Sequence, residues 1–433
     1  MLIQGLLNWL PLASLTFNAY KSDDDPLKKL GYLTPYSPAP AFHGVDAELP
    51  SDCSVNRVML MHRHGSRGPE GETSQINSLV QTLKNGKDAI QNAHLPENLR
   101  FLKKGYESHL DPGKLTIIGR QQLFNHGVEF GLKYPNFDTD TLLSSDSQRV
   151  KDSMKFFGLG RFGLEIENKE LLAVDDMPDL VSWITPWTSC PINGLHALAV
   201  VKGWTDSYLP DITKRLNELL PGVNLTDDDT HGALYACPYD LATGDESPWC
   251  DVFYADELAD FEYEMDLAMN AGAYLAPNDV GRVMGSVFVN RLINRFTNAS
   301  EEAPSLYLEF GHDITILVAM AAMDLNRDDP PLSSQGPPQY RKFRTSYQIP
   351  FAANMIWESF TCEESFDGPQ IRLVLNDETY PLSTCAETRE DRRYGTCSLD
   401  AFIQANQFST NIKFGDDTWQ AACGPNSEVL YVQ

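Results

Sequence analysis

Basic residues are scarce in this 433-residue chain: 34 Lys and Arg stand against 60 Asp and Glu, a formal charge of −26 with a pI near 4.6. That shortage excludes nucleic acid and an anionic membrane surface as partners, since both are bound through basic patches. Such an acidic surface suits either an acidic medium, where self-repulsion falls, or plain solubility. Past the N-terminus no apolar run is long and pure enough to cross a bilayer. No sequence period of roughly 20–50 residues recurs, which excludes a repeat protein. Nor is there a CxxC pair, or a cysteine beside histidine at zinc-finger spacing, so metal binding is not how the cysteines are used.

What is present points to a large folded enzyme-sized chain. A hydrophobic content of 42%, with 10% aromatic, supplies a substantial core. The length suits one large domain with an inserted or second one. The eight cysteines are Cys53, Cys190, Cys237, Cys250, Cys362, Cys385, Cys397 and Cys423. Even in number and widely scattered, they suit four disulfides in an oxidising compartment, with the pairing left open. Sequons at Asn224 and Asn298 agree with secretion and N-linked glycans. Residues 1–19 have the apolar length and small residues (Ala13, Ser14, Ala19) of a signal peptide, without a basic start. Residues 20–50 are Pro-rich and read as extended.

Val55 to Met61 predicts a buried strand that runs straight into the turn Gly65-Ser66-Arg67-Gly68-Pro69. Residues 73 to 105 are helical in pattern, and "LTIIGRQQLFNHGVEFGLKYP" reads as one amphipathic helix. Leu142 and Leu143 lead through a Ser/Asp-rich turn to a helix near Arg149. Leu306 to Phe310 form a third strand, broken by Gly311, with Asp313 placed to cap the next helix. "QIRLVLNDETYPL" adds strands near the end. Alternating strands and helices predict an α/β domain, residues 51–150 and 301–433, with a largely parallel sheet. The mostly helical stretch 151–300 is expected to form a subdomain.

Ligand sites of such sheets lie at the carboxyl ends of strands. Three strand ends offer Arg63, His64 and Arg67, then Arg149, then His312 and Asp313. Guanidiniums bind the oxygens of an anion bidentately and keep their charge. Positive neighbours keep an imidazole neutral, and a neutral imidazole nitrogen is a nucleophile toward phosphorus. Asp313 is the carboxylic acid at hand to protonate a leaving alkoxide, which implies an acidic optimum if it must be protonated. His62 and His64 also make an H-x-H pair, the spacing of a metal site. Arg63 and Arg67 beside it do not suit a cation.

Arg63-His64-Gly65-Ser66-Arg67-Gly68-Pro69 is an R-H-G-x-R-x-P string. With His312-Asp313, and Arg149 in "SSDSQRV", the chain resembles the histidine acid phosphatases, within them the fungal secreted phytases and acid phosphatases. The likeness runs from about residue 35 onward, through "LTIIGRQQL", "CDVF" and "IRLVLNDETYPL". It implies a phosphoglycerate-mutase-like sheet domain flanked by helices, with an inserted α-rich subdomain and no cofactor. It implies His64 as nucleophile, Asp313 as proton donor, and Arg63, Arg67, Arg149 and His312 as phosphate holders. It implies the pairs Cys53–Cys362, Cys190–Cys423, Cys237–Cys250 and Cys385–Cys397. Its substrates would be phosphomonoesters, inositol phosphates such as phytate among them. Gly68 departs from the aromatic residue many fungal phytases carry there. Glu70-Gly71-Glu72 is acidic where phytate-preferring relatives supply lysines, unless Lys84 and Lys87 compensate. A broad acid phosphatase, a mutase of the wider fold and a silent phosphate binder remain the alternatives.

Overall fold

The computed structural model describes residues 20–21, 25–108, 111–174, 182–190, 195–244, 247–300 and 302–424. The expected signal segment 1–19 lies outside them. Among the described residues no helix is long and apolar enough to cross a membrane.

β1 (Cys53–Arg63) begins with alternating exposure and then buries every residue from Val58 to Arg63. Such a two-sided apolar run belongs at the centre of a sheet covered on both faces. It extends two residues beyond the predicted strand at each end. Seven further strands join it: β2 (Thr141–Ser145), β3 (Glu170–Val174), β4 (Leu306–Gly311), β5 (Asn354–Cys362), β6 (Gln370–Leu375), β7 (Glu378–Tyr380) and β8 (Thr396–Ser398). The order is β3-β2-β4-β1-β5-β6-β7, with β8 also on β6. The strands β3, β2, β4 and β1 are parallel neighbours, whereas β5 to β8 pair antiparallel. The largely parallel sheet expected from the sequence therefore covers only one half. The reason lies in the connections: Leu375 and Glu378 close a hairpin through Asn376 and Asp377, both at positive φ, and so short a link joins only antiparallel strands.

One sheet face packs Met59, Met61, Met355 and Trp357 under the helices Val280–Thr297 and Asp313–Ala322. The other packs Val58, Leu60 and Ile356 under the helices Ile117–Lys133 and Gln148–Phe162. A further core, with Leu79, Leu216, Leu234, Phe261 and Trp249, joins the helices Thr73–Asn85, Leu195–Leu219, Asp227–Leu241 and Ala255–Asn270. Each such side chain contributes about 1.5–3 kcal/mol on burial. The helical layer thus draws on residues before position 150 as well as after it, and the stretch 151–300 also gives β3 to the sheet edge. The predicted helix over 73–105 is broken at Gly86 and Pro96 into shorter pieces.

Four disulfides pair all eight cysteines: Cys53–Cys362, Cys190–Cys423, Cys237–Cys250 and Cys385–Cys397. The first links the start of β1 to the end of β5, residues that face each other in the sheet register.

Candidate active site

The parallel half of the sheet explains why distant residues meet. Arg63 is in register with Gly311, and Ser144 with Phe310. The chain therefore leaves β1, β2 and β4 at one common edge, carrying His64 and Arg67, then Arg149, then His312 and Asp313.

The loop after β1 is clamped by the two helices beside it. Ser66 N–H donates to Gln122 Oε1 at 2.9 Å, Thr116 N–H to Ser66 O at 2.9 Å, and Gly65 N–H to Ser153 Oγ at 3.2 Å. A Cβ on Gly65 would stand 2.4 Å from Gly119 O, and one on Gly119 would stand 2.2 Å from Ser66 O. Only glycine at both positions lets the loop lie this close to the helix.

Arg63 is wholly buried. Its Nη1 donates to Tyr32 O at 2.6 Å and to Ile349 O at 2.5 Å. Its Nη2 lies 2.6 Å from Asp313 Oδ2. Burial lowers its pKa to about 10, still far above any acidic working pH. The Phe351 ring lies under both Arg63 and Arg67, at 4.6 and 5.9 Å. Arg67 Nη1 donates to Gly68 O at 2.8 Å and reaches Tyr239 Oη at 3.4 Å. Arg67 and Arg149 share one carboxylate, Glu70. The Nε–H groups of Arg63, Arg67 and Arg149 are buried without a hydrogen-bond partner. Three orphaned cationic donors at one edge are costly unless an anion completes them.

His64 lies among them, 5.5 Å ring to ring from His312. Its Nδ1–H donates to Gly65 O at 2.9 Å, since a carbonyl only accepts. The lone pair is thereby assigned to Nε2. Burial pushes the His64 pKa well below the ordinary imidazole value, and Arg63, Arg149, His312 and Arg67 push it further. His312 is held near 3 by burial and then Arg149, and its Nε2 meets Ser145 Oγ at 3.0 Å. Both imidazoles are neutral in mild acid.

His312, rather than Asp313, is the cap of the helix Asp313–Ala322; its backbone N–H donates to Thr315 Oγ1 at 3.1 Å. Asp313 is the first helical residue and accepts from Ile314 N–H at 2.8 Å, a position favourable to negative charge. Burial raises its pKa, but Arg63, His312 and Arg67 together outweigh burial and hold it below the usual carboxylate value.

All six residues singled out in the sequence thus converge. Sequence reasoning missed Ser145, Tyr239, Phe351 and the carbonyls of Tyr32 and Ile349. Ser145 lies in the same Ser/Asp-rich turn as Arg149, but nothing local sets it apart from its serine neighbours. The others reach the crevice from remote segments that no local pattern marks. His62 does not form a ligand pair with His64: its Nδ1–H donates to Arg63 O at 2.6 Å and its Nε2 meets His126 Nδ1 at 2.9 Å. Lys84 and Lys87 line a cleft of about 710 Å³ with Lys103 and Lys104, and none of the six is among its lining residues.

Chemically, the crevice offers fixed positive charge for a tetrahedral oxyanion, an unprotonated imidazole nitrogen and a carboxylate. Comparison with known proteins agrees. An acid phosphatase of Schizosaccharomyces pombe is 28% identical over 408 residues, 90% of this chain and 89% of its own. Phytase A of Aspergillus terreus is 26% identical over 423 residues, 88% of each chain. The crystal structure of the phytase from D. castellii shares the fold, with a TM-score of 0.81 at 24% identity over 94% of this chain and 89% of that one. Residues 54–376 match the description of the histidine phosphatase superfamily, branch 2, and the chain belongs to that family.

Proposed function

We propose that this protein is a secreted acid phosphomonoesterase that works through a phosphohistidine on His64, without a metal. Its substrates are phosphate esters of small molecules, inositol phosphates among them, as the names of its relatives imply. Secretion is supported by the four disulfides and the exposed sequon asparagines Asn224 and Asn298. One observation carries the reading: a neutral imidazole lone pair set among three guanidiniums that each keep a buried, unpartnered Nε–H.

Arg63, Arg67, Arg149 and His312 hold the phosphoryl oxygens, and their charge meets the charge that develops in transfer. Asp313 is ionised in the free site, so the proton enters with the substrate. A phosphomonoester has its second pKa near about 6 and is a monoanion below it. The bound anion engages Arg63 and places negative charge beside Asp313, which raises the carboxyl's affinity for that proton. His64 Nε2 then bonds to phosphorus as the bond to the leaving oxygen breaks, and Asp313 passes the proton to that oxygen. In the second step water attacks phosphorus, Asp313 takes a proton from it, and Nε2 leaves with its electron pair. Neutral His64, hydrogen phosphate and a protonated Asp313 result. Asp313 then returns its proton to the product, which leaves as dihydrogen phosphate and restores the ionised carboxylate.

The test is hydrolysis of p-nitrophenyl phosphate and inositol hexakisphosphate, side by side in EDTA at about pH 5. Turnover of either supports the reading, and their ratio ranks phytase against general phosphatase. No turnover of either by folded protein would overturn it.

A further inference from the structure

Two of the three arginines already hold an anion, and it belongs to the protein. Glu70 Oε1 accepts from Arg149 Nη1 at 2.9 Å, and Glu70 Oε2 lies 3.4 Å from Arg67 Nη2. One carboxylate thus spans two guanidiniums with separate oxygens, as a pair of phosphate oxygens would.

Its seat is built by the surrounding loops. Arg67 and Gly68 bridge to Leu115 and Pro112, Gly113 N–H donates to Pro69 O at 3.0 Å, and Glu70 N–H donates to Glu72 Oε2 at 3.1 Å. Gly113 has φ +66°, and a Cβ there would stand 2.8 Å from Glu70 Oε1. Glycine keeps open the space this carboxylate uses. The Glu70 side chain is 42% exposed, so solvent screens the bridge and leaves it exchangeable.

We propose that Glu70 is a tethered competitor for the phosphate seat. An incoming phosphate displaces the carboxylate from Arg67 and Arg149, which raises the KM for every ester. Once displaced, the carboxylate remains at the mouth as a negative charge, so esters with further phosphates are penalised more than esters with one. The proposal rests on the crevice being a phosphate seat. A positioning role predicts the opposite sign: if Glu70 held the arginines in place, its loss would weaken anion binding.

Glu70→Gln keeps the length and removes the charge. The Kd of inorganic phosphate by calorimetry and KM for p-nitrophenyl phosphate should both fall about fivefold. KM for inositol hexakisphosphate should fall by more than that. Glu70→Asp, which keeps the charge on a shorter arm, should fall in between, and it carries the test if Glu70→Gln does not fold. Phosphate binding that is unchanged or weaker in both variants overturns the proposal; equal gains on the two esters overturn the selectivity. A wild-type protein that binds no phosphate and hydrolyses neither ester instead removes the phosphate-seat reading itself.

Discussion

His62 and His64 stand two residues apart, both buried and both held neutral, yet the proposed chemistry falls to only one of them. His62 is pushed to about 3 by burial and then by His126, itself held near 4 by burial. Both of its ring nitrogens are spent on Arg63 O and His126. His64 spends only Nδ1, on Gly65 O, and its low basicity is deepened by four neighbouring cationic or imidazole groups. A depressed pKa is therefore no mark of a nucleophile. What distinguishes His64 is a free lone pair among charges that an incoming anion completes.

The comparison breaks most sharply at His64. Replacing it by Ala should lower kcat on the order of 10⁵-fold, measured on p-nitrophenyl phosphate; a variant that retains substantial turnover would move the nucleophile elsewhere. Asp313→Asn should cost roughly 10²–10⁴-fold on an alkyl phosphate. On p-nitrophenyl phosphate, whose leaving group needs little protonation, the loss should be far smaller. Equal losses on both would remove Asp313 from proton donation.

A pH profile sharpens the account further. His64 is already neutral in mild acid and Asp313 already ionised, by the directions of their shifts. The alkaline limb of kcat/KM should thus follow loss of the ester monoanion, about tenfold per pH unit above about 6. A limb set by an enzyme carboxyl would stay fixed when the ester's own pKa is changed; this one should move with it.

His62 gives the smallest effect, on stability. Its pKa lies below the ordinary 6.5 in the folded state, so the unfolded chain binds the proton first. Its contribution is complete above that value and is lost as pH falls toward 3. At about 1.36 kcal/mol per unit, descent to about pH 4 costs roughly 3 kcal/mol. His62→Leu should be less stable than wild type at neutral pH by about 1–3 kcal/mol, because His126 Nδ1 loses its partner. Its unfolding free energy should also fall less steeply in acid. Denaturation curves at both pH values check this, and an unchanged slope would show that His62 does not titrate on unfolding.

The chain itself made much of the site legible. The strand–turn residues Arg63 to Pro69 and the His312-Asp313 step each follow an apolar run, and the rule that parallel strands present ligands at their carboxyl ends brings them together. β5 was not legible: "NMIWESFTC" carries Glu358 and Ser359 inside the sheet, which reads as too polar for a central strand. Glu358 is tolerated because Arg372 Nε meets it at 2.6 Å and Tyr134 donates to it, partners 14 and 224 residues away. Glu70 was legible as an acidic residue near the motif but not as a bridge between Arg67 and Arg149, since helix and loop placement decides that contact. Local sequence states which residue types are available, and tertiary packing decides which of them touch.

The most direct test of the central claim is the stereochemical course at phosphorus. An isotopically chiral phosphomonoester is offered with an alcohol acceptor, and the configuration of the transferred phosphoryl group is read by mass and magnetic resonance. Two in-line displacements through His64 predict net retention. Net inversion would mean that the acceptor attacks the ester directly, and would contradict the phosphohistidine.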